Sequence, residues 1–265
     1  MEDFSQYNGE GTALRKVQLR LVEMLVEIDK ICRKHNILYW IDFGTLLGAI
    51  RHQGFIPWDD DLDITFTTED LHRFMEIAPK ELPDWLFLQT KASDPSFGRT
   101  LNKIRDNKSL YITPNEDFTK NYNKGIFIDL FEIQPYPNVN IKLQKLIMRW
   151  YIKVTGFFII KQKVTLKNHL ATLLFPLIKL FLDLIWFIFN LGPKNKLGYE
   201  KHFNVYGNSY TKEMIFPLKD ISFEGHTFLC PANPGLYLTS IYGDYMKIPP
   251  KEKRRIHSVN VFFFD

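Results

Sequence analysis

Apolar residues recur at helical spacing from Thr12 to Lys34: Leu14, Val17, Leu21, Met24, Leu25, Ile28 and Ile31 form one stripe, with Arg15, Lys16, Glu23 and Glu27 on other faces. After His35 and Asn36, the run ILYWIDFG is rich in β-branched and aromatic residues and closes at Gly44, which predicts a buried strand. TLLGAIRHQ then opens a short helix with Thr45 near its N-terminus, GFIPW turns the chain, and DLDITF predicts a second strand. Thr68 to Ala78 reads as a helix capped by Thr67 or Thr68, with Glu69 and Asp70 in its first turn. LFLQT, SLYIT and GIFIDLFEI predict further strands.

The pattern changes at Ile141. Two strongly apolar helical segments follow, at about 142–160 and 168–191. In the first, Lys142, Lys145, Arg149 and Lys153 make one basic stripe beside Leu143, Leu146, Ile147, Trp150, Tyr151 and Val154. In the second, Thr172, Pro176, Lys179, Asp183 and Asn190 lie along one face of an otherwise Leu/Ile/Phe/Trp helix. A wide apolar face with a narrow polar stripe suits a helix lying in a membrane interface, and a pair of core helices on the sheet is the plain alternative. The final third, punctuated by Pro217, Pro231, Pro234, Pro249 and Pro250, is expected to be loop-rich. The expected class is α+β: a mixed sheet flanked by helices, with a catalytic core at 1–140, an apolar helical insertion at 141–195, and a C-terminal part at 196–265 that completes the site.

Composition narrows the class. With 45% hydrophobic residues in 265, a sizeable core can form. The net charge of +4 is spread rather than run together, so no nucleic-acid partner is expected. Cys32 and Cys230 match no zinc or redox spacing, and suggest free thiols in a reducing compartment, with a single disulfide as the alternative. The polar start MEDFSQYNGEG contains no apolar signal core, and Lys179 and Asp183 interrupt the longest apolar run. The expectation is a cytoplasmic protein, peripheral on the cytoplasmic face of a membrane.

The most informative stretch is PWDDDLDI. On a strand Asp59, Asp61 and Asp63 project together while Asp60 and Leu62 point away. Carboxylates on one face repel and raise each other's pKa, and a Mg²⁺ or Mn²⁺ ion relieves this. A solvated acidic turn is the alternative, but Ile64 and Phe66 carry the β-pattern on into a core. A third acid, Asp129, stands inside the apolar strand GIFIDLFEI, where a lone carboxylate costs several kcal/mol unless metal-bound or paired with Lys103 or Arg105. Asp61, Asp63 and Asp129 together have the makings of a metal site for phosphoryl transfer. Just upstream, strand–Gly44–Thr45–helix is a phosphate-binding arrangement, and Arg51 near the far end of that helix could reach a pyrophosphate.

YWIDFGTLLGAIRHQGFIPWDDDLDI closely resembles the signature of the LicD family, whose eukaryotic relatives include fukutin and fukutin-related protein. NKIRDNKS resembles the family's Lys/Arg segment, GIFIDLFEI its third-carboxylate strand and YGDYMKIPPKEKRRIH its C-terminal signature, so the likeness runs from about Asn36 to His257. It implies a nucleotidyltransferase-like fold. It also implies transfer of phosphocholine from CDP-choline onto a teichoic-acid or surface-glycan sugar, or of ribitol phosphate from CDP-ribitol in the eukaryotic branch. Position by position, Asp61 and Asp63 match the metal-binding DxD and Asp129 the third carboxylate. Gly44 and Thr45 match the Gly-Gly/Ser element, with Thr45 for the more usual Ser. The zinc-binding cysteines of fukutin-related protein have no counterpart, which favours a bacterial-type member.

On that reading Lys103 and Arg105, two apart on an extended segment, face the diphosphate. Asp59 contacts substrate, and Arg255 and His257 close over it, though a structural role for His257 stands beside that. The acceptor hydroxyl attacks the phosphorus in line, CMP leaves, and Asp129 is the expected general base. The expected partners are CDP-choline, a lipid-linked glycan such as a teichoic-acid precursor, and the membrane surface. The rivals are transfer of another CDP-linked polyol phosphate, a true nucleotidyltransferase, a DxD glycosyltransferase, and a catalytically silent membrane scaffold.

Overall fold

A computed structural model describes residues 3–98, 101–114, 117–159, 166–200, 204, 206–258 and 260–264. A single turn, α1 (Ser5–Asn8), precedes α2 (Ala13–Lys34), whose N-cap Thr12 accepts from the Arg15 amide at 3.2 Å. The predicted stripe of α2 is its buried face, from Leu14 through Ile31. Next come β1 (Tyr39–Ile41), α3 (Phe43–His52), β2 (Asp63–Thr67) and α4 (Thr68–Glu81), the last capped by Thr67. Then follow β3 (Leu86–Gln89), β4 (Asn102–Asp106), β5 (Ser109–Ile112) and β6 (Phe127–Tyr136).

These strands build a mixed sheet in the order β1-β2-β6-β4-β3. Two late strands, β7 (Lys196–Tyr199) and β8 (Tyr210–Thr211), extend it from β6. Among the described residues only β2 and β6 run parallel; the other pairings in this sheet are antiparallel. The parallel pair lies in the middle of the sheet, and its residues Ile64, Phe66, Ile128 and Leu130 are essentially fully buried. The sheet is mixed and helices accompany it, as expected.

SLYIT forms β5, as expected, and pairs outside the main sheet with β11 (Asn260–Phe263). Two expectations need correction. The helix predicted to open at Thr45 begins at Phe43, because the buried Asp42 carboxylate accepts from the Phe43 amide at 2.7 Å and caps it there. The final third is less loop-rich than its prolines imply. It adds α7 (Lys212–Ile215), a hairpin of β9 (Lys219–Phe223) and β10 (His226–Cys230), and α8 (Pro234–Tyr242). The hairpin turns on Glu224 and Gly225, both at positive φ (50° and 77°), as a two-residue loop requires. Cys32 and Cys230 are buried free thiols.

Between β6 and β7 the chain makes a helical hairpin of α5 (Ile141–Ile159) and α6 (Leu166–Asn190). Its small core of Ile147, Met148, Tyr151, Leu182 and Trp186 meets the sheet at Tyr136 and is separate from the main core. In α6 the Lys179–Asp183 part of the polar stripe lies toward α5, while Thr172 and Pro176 are exposed. Lys179 bonds Asp183 at 2.6 Å one turn on and lies 5.6 Å from the Tyr151 ring of α5, whereas Leu173 is 71% exposed and Leu177, Leu180, Phe181, Leu184 and Phe187 are exposed beside it. The two charges therefore neutralise each other within one continuous helix and do not shorten its apolar length. Leu170–Asn190 is by length and composition apolar enough to cross a membrane, with a mean hydropathy of 2.0.

Candidate active site

A cavity of about 290 Å³ opens beside the ends of β2 and β6. Asp59, Asp61 and Asp63 line one side with Gly44 and His257, and Phe43, Phe131, Tyr206 and Tyr242 line the other. Asp63 is the first residue of β2 and lies directly opposite Asp129 in the parallel register, with the Asp129 amide bonded to the Leu62 carbonyl at 3.0 Å. Asp59 to Leu62 precede the ladder. The predicted alternation still holds there: Asp60 and Leu62 are buried away from the cavity that Asp59 and Asp61 line.

The first turn of α3 grips the Asp63 peptide from both sides. The Asp42 amide donates to the Asp63 carbonyl at 3.0 Å, and the Asp63 amide donates to the Thr45 hydroxyl at 2.9 Å. Thr45 is thus buried in a positioning bond, and among the described residues its hydroxyl does not face the cavity. A Cβ on Gly44 would stand 2.9 Å from the Asp59 carboxylate, so the missing side chain admits that carboxylate to the helix N-terminus. Arg51, predicted to reach a pyrophosphate, instead donates to the Tyr245 carbonyl at 2.9 Å and holds the C-terminal segment.

Burial is the main cause that raises the pKa of Asp59, Asp61 and Asp63. Mutual repulsion adds to it: Asp61 and Asp60 act on Asp59, Asp129 and Asp60 on Asp61, and Asp61, Asp129 and Asp59 on Asp63. Asp59 and Asp61 lie close enough to share a proton between them. Ligand atoms of Asp59, Asp61 and His257 lie within 4.8 Å of one another, close enough to share a cation. A hard divalent ion suits such an oxygen-rich set.

Lys103 and Arg105 share a face of β4, as expected, but neither lines the cavity. Lys103 faces Asp129 across the sheet and forms the ion pair raised above as the alternative to metal binding. Arg105 is buried and donates to Gln89 and to the Gly125 carbonyl at 2.7 Å, which makes it a strut of the strand.

Asp60 is the functional residue the sequence did not disclose. It is buried and accepts from the Tyr111 hydroxyl (2.7 Å), the His257 amide (2.9 Å), the Ser258 amide (2.7 Å) and His257 Nδ1 (3.0 Å). Burial opposes ionisation, but bonds from His257, Ser258 and Tyr111 outweigh it and bring its pKa down to about 2. This latch sets His257 Nδ1 3.8 Å from Asp61. The Asp60 bond raises the His257 pKa against the burial that lowers it, and Asp61 adds to the rise. Arg255 is exposed beside it, and its charge opposes His257 protonation. Asp42 was also missed. Fully buried, it accepts from Thr65 (2.6 Å), Tyr237 (3.0 Å) and Tyr199, and desolvation raises its pKa despite them. An aspartate ending an apolar run was the available signal for a cap.

A carboxylate-lined cleft held between a helix N-terminus and a parallel strand pair defines a candidate group-transfer site. Residues 36–154 match the family described as LicD/FKTN/FKRP, nucleotidyltransferase domain, so this stretch of the chain carries a LicD-type domain. It is 28% identical over 264 residues to the lipopolysaccharide cholinephosphotransferase LicD of Haemophilus influenzae, covering 93% of this chain and 96% of that one. It is also 31% identical over 81 residues to the mouse ribitol 5-phosphate transferase FKRP, covering 29% of this chain and 16% of that one. A 65-residue stretch is 49% identical to an uncharacterised protein of Rickettsia typhi, covering 24% and 21%. The Haemophilus and mouse relatives are by name transferases of phosphate-linked groups.

Proposed function

We propose that this chain transfers phosphocholine from CDP-choline to a sugar hydroxyl of a surface-glycan or teichoic-acid precursor, releasing CMP. The observation that carries this reading is the gathering of Asp59, Asp61 and Asp63 beside a capped helix N-terminus, together with end-to-end similarity to a cholinephosphotransferase. The catalytic unit is read as nucleotidyltransferase-like, with the helical hairpin inserted and the C-terminal part completing the site. Mg²⁺ or Mn²⁺ fits the donor set. Asp61 would hold it with Asp59 and His257, whose ligand atoms gather there, and Asp63 and Asp129 would join if Lys103 released Asp129. The bound ion would supply charge to stabilise the diphosphate and the leaving CMP.

The chain's own groups have separable tasks in this reading. The α3 turn fixes the Asp63 backbone, and Asp60 holds the C-terminal segment so that His257 stands at Asp61. Asp129, oriented by Lys103, takes the acceptor proton as general base. Reaction with CDP-choline, CDP-ribitol and CDP-glycerol, each with and without Mg²⁺, tests the proposal through CMP release. The expected result is release from CDP-choline only with metal; no release from any of the three overturns it. Preference for a polyol donor is the second reading, favoured by the likeness to FKRP.

The enzyme is further proposed to work peripherally on the cytoplasmic face of a membrane, where a lipid-linked acceptor is presented. What supports this is the outward apolar face of α6 and the exposed Lys142, Lys145, Arg149 and Lys153 on α5, which suit acyl chains and anionic headgroups.

A further inference from the structure

The ring-lined side of the cavity has no task in the scheme above. Phe43 sits at φ +43°, a left-handed backbone that a bulky residue adopts only when its surroundings impose it. That backbone sets its ring 5.0 Å from Phe131 and 6.3 Å from Tyr206, and Tyr206 lies edge-on to Tyr242 at 5.6 Å. The four rings thus make one continuous wall facing the carboxylates.

We propose that this wall seats the transferred head group and is built for an onium, a cation with no N–H to donate, in preference to a polyol; the assignment rests on the phosphotransferase reading above. Ring faces carry negative quadrupole density and bind such cations without hydrogen bonds, and the nearby carboxylates add the same sign of potential. A polyol needs several partners. Among the described side chains of the wall the polar groups are the Tyr206 and Tyr242 hydroxyls, fewer than a polyol needs. Hydroxyls pressed against it would lose water without replacement. A nucleobase could also stack on rings. The head group, however, is esterified directly to the phosphorus under attack, whereas the nucleoside is one phosphate further away. The rings beside the carboxylates are therefore the head group's. The cavity, about 290 Å³, suits a head group and one phosphate better than a whole nucleotide.

Calorimetry on the full chain with Mg²⁺ tests this, using CDP-choline, CDP-glycerol and CMP as titrants. The wild type should bind CDP-choline about tenfold more tightly than either of the others. Tyr206→Ala, at an exposed position that spares the fold, should erase most of that margin and leave CMP unchanged, while Tyr206→Phe should keep it. Tyr242→Leu is the second probe of the same wall. Equal weakening of CMP and CDP-choline would make the rings a base platform, and tighter binding of CDP-glycerol by the wild type would make them a polyol site. Either result overturns the proposal, as does a failure of all three to bind. Ring-dependent CDP-choline binding without CMP release would instead keep the subsite and remove the transferase reading.

Discussion

The carboxylate cleft and the α5–α6 hairpin invert the usual protein in opposite senses. In the cleft, acids that solvent would stabilise are drawn together at low exposure; in the hairpin, Leu and Phe face outward while a Lys–Asp pair turns toward its neighbour helix. Each arrangement is costly in water alone, through the crowding of half-buried acids and through the unburied apolar area of α6. The cleft's cost falls when a cation enters, and the hairpin's falls when a lipid surface covers it. Among the described residues neither is offset by packing within the chain, which is why a cation and a lipid surface are proposed for them.

The sharpest way to break the comparison is at the cleft. Asp61→Asn and Asp63→Asn should each lower CMP release by on the order of a thousandfold with Mg²⁺ present. With metal chelated, Asp63→Asn should raise the melting temperature, because a neutral amide removes the repulsion. A fall in stability there would mean that the acids are not crowded. The hairpin provides the next effect. Leu177→Gln, Phe181→Gln and Leu184→Gln together should reduce flotation with anionic liposomes by about a hundredfold and leave thermal stability nearly unchanged, since all three are exposed. Unchanged flotation would return α6 to an ordinary role.

A smaller effect belongs to the latch. Asp60→Asn keeps the shape but weakens its grip on His257 and Ser258, so turnover should drop roughly ten- to thirtyfold and amides of β11 should exchange faster with solvent. Lost turnover with unchanged exchange would separate Asp60 from the C-terminal segment. The smallest is a pH effect away from the cleft. Burial first, then Arg51, push the pKa of His52 down to about 4 from its ordinary 6.5. Between those values the unfolded chain binds the extra proton, so the His52 contribution to stability is complete above about pH 6.5 and declines toward pH 4. Midpoints of urea unfolding across that range should fall less in His52→Gln than in the wild type.

How much of this was legible depended on how local the signal was. α2 and α4 could be read because long apolar stripes coincide with Thr caps, and the β2 and β6 strands because acids interrupt otherwise apolar runs. The common face of Asp59, Asp61 and Asp63 followed from alternation alone, even though only Asp63 belongs to the ladder. Partner choice was not legible. Nothing near Asp60 in the chain announces that its donors come from 257–258, or that Arg51 is taken by the 245 carbonyl. The β9–β10 turn was readable in principle from its Glu-Gly pair between apolar runs, but the prolines around it suggested loop.

The reach of the Asp60 latch sets the order in which the protein becomes competent during synthesis. Its partners lie 197 and 198 positions further along the chain, so the cleft cannot close until His257 and Ser258 have left the ribosome. The hairpin ends at Asn190 and emerges some seconds earlier at ordinary elongation rates of roughly 5–20 residues per second. On the proposed membrane reading, the nascent chain would therefore present its apolar hairpin to a surface before its cleft is complete.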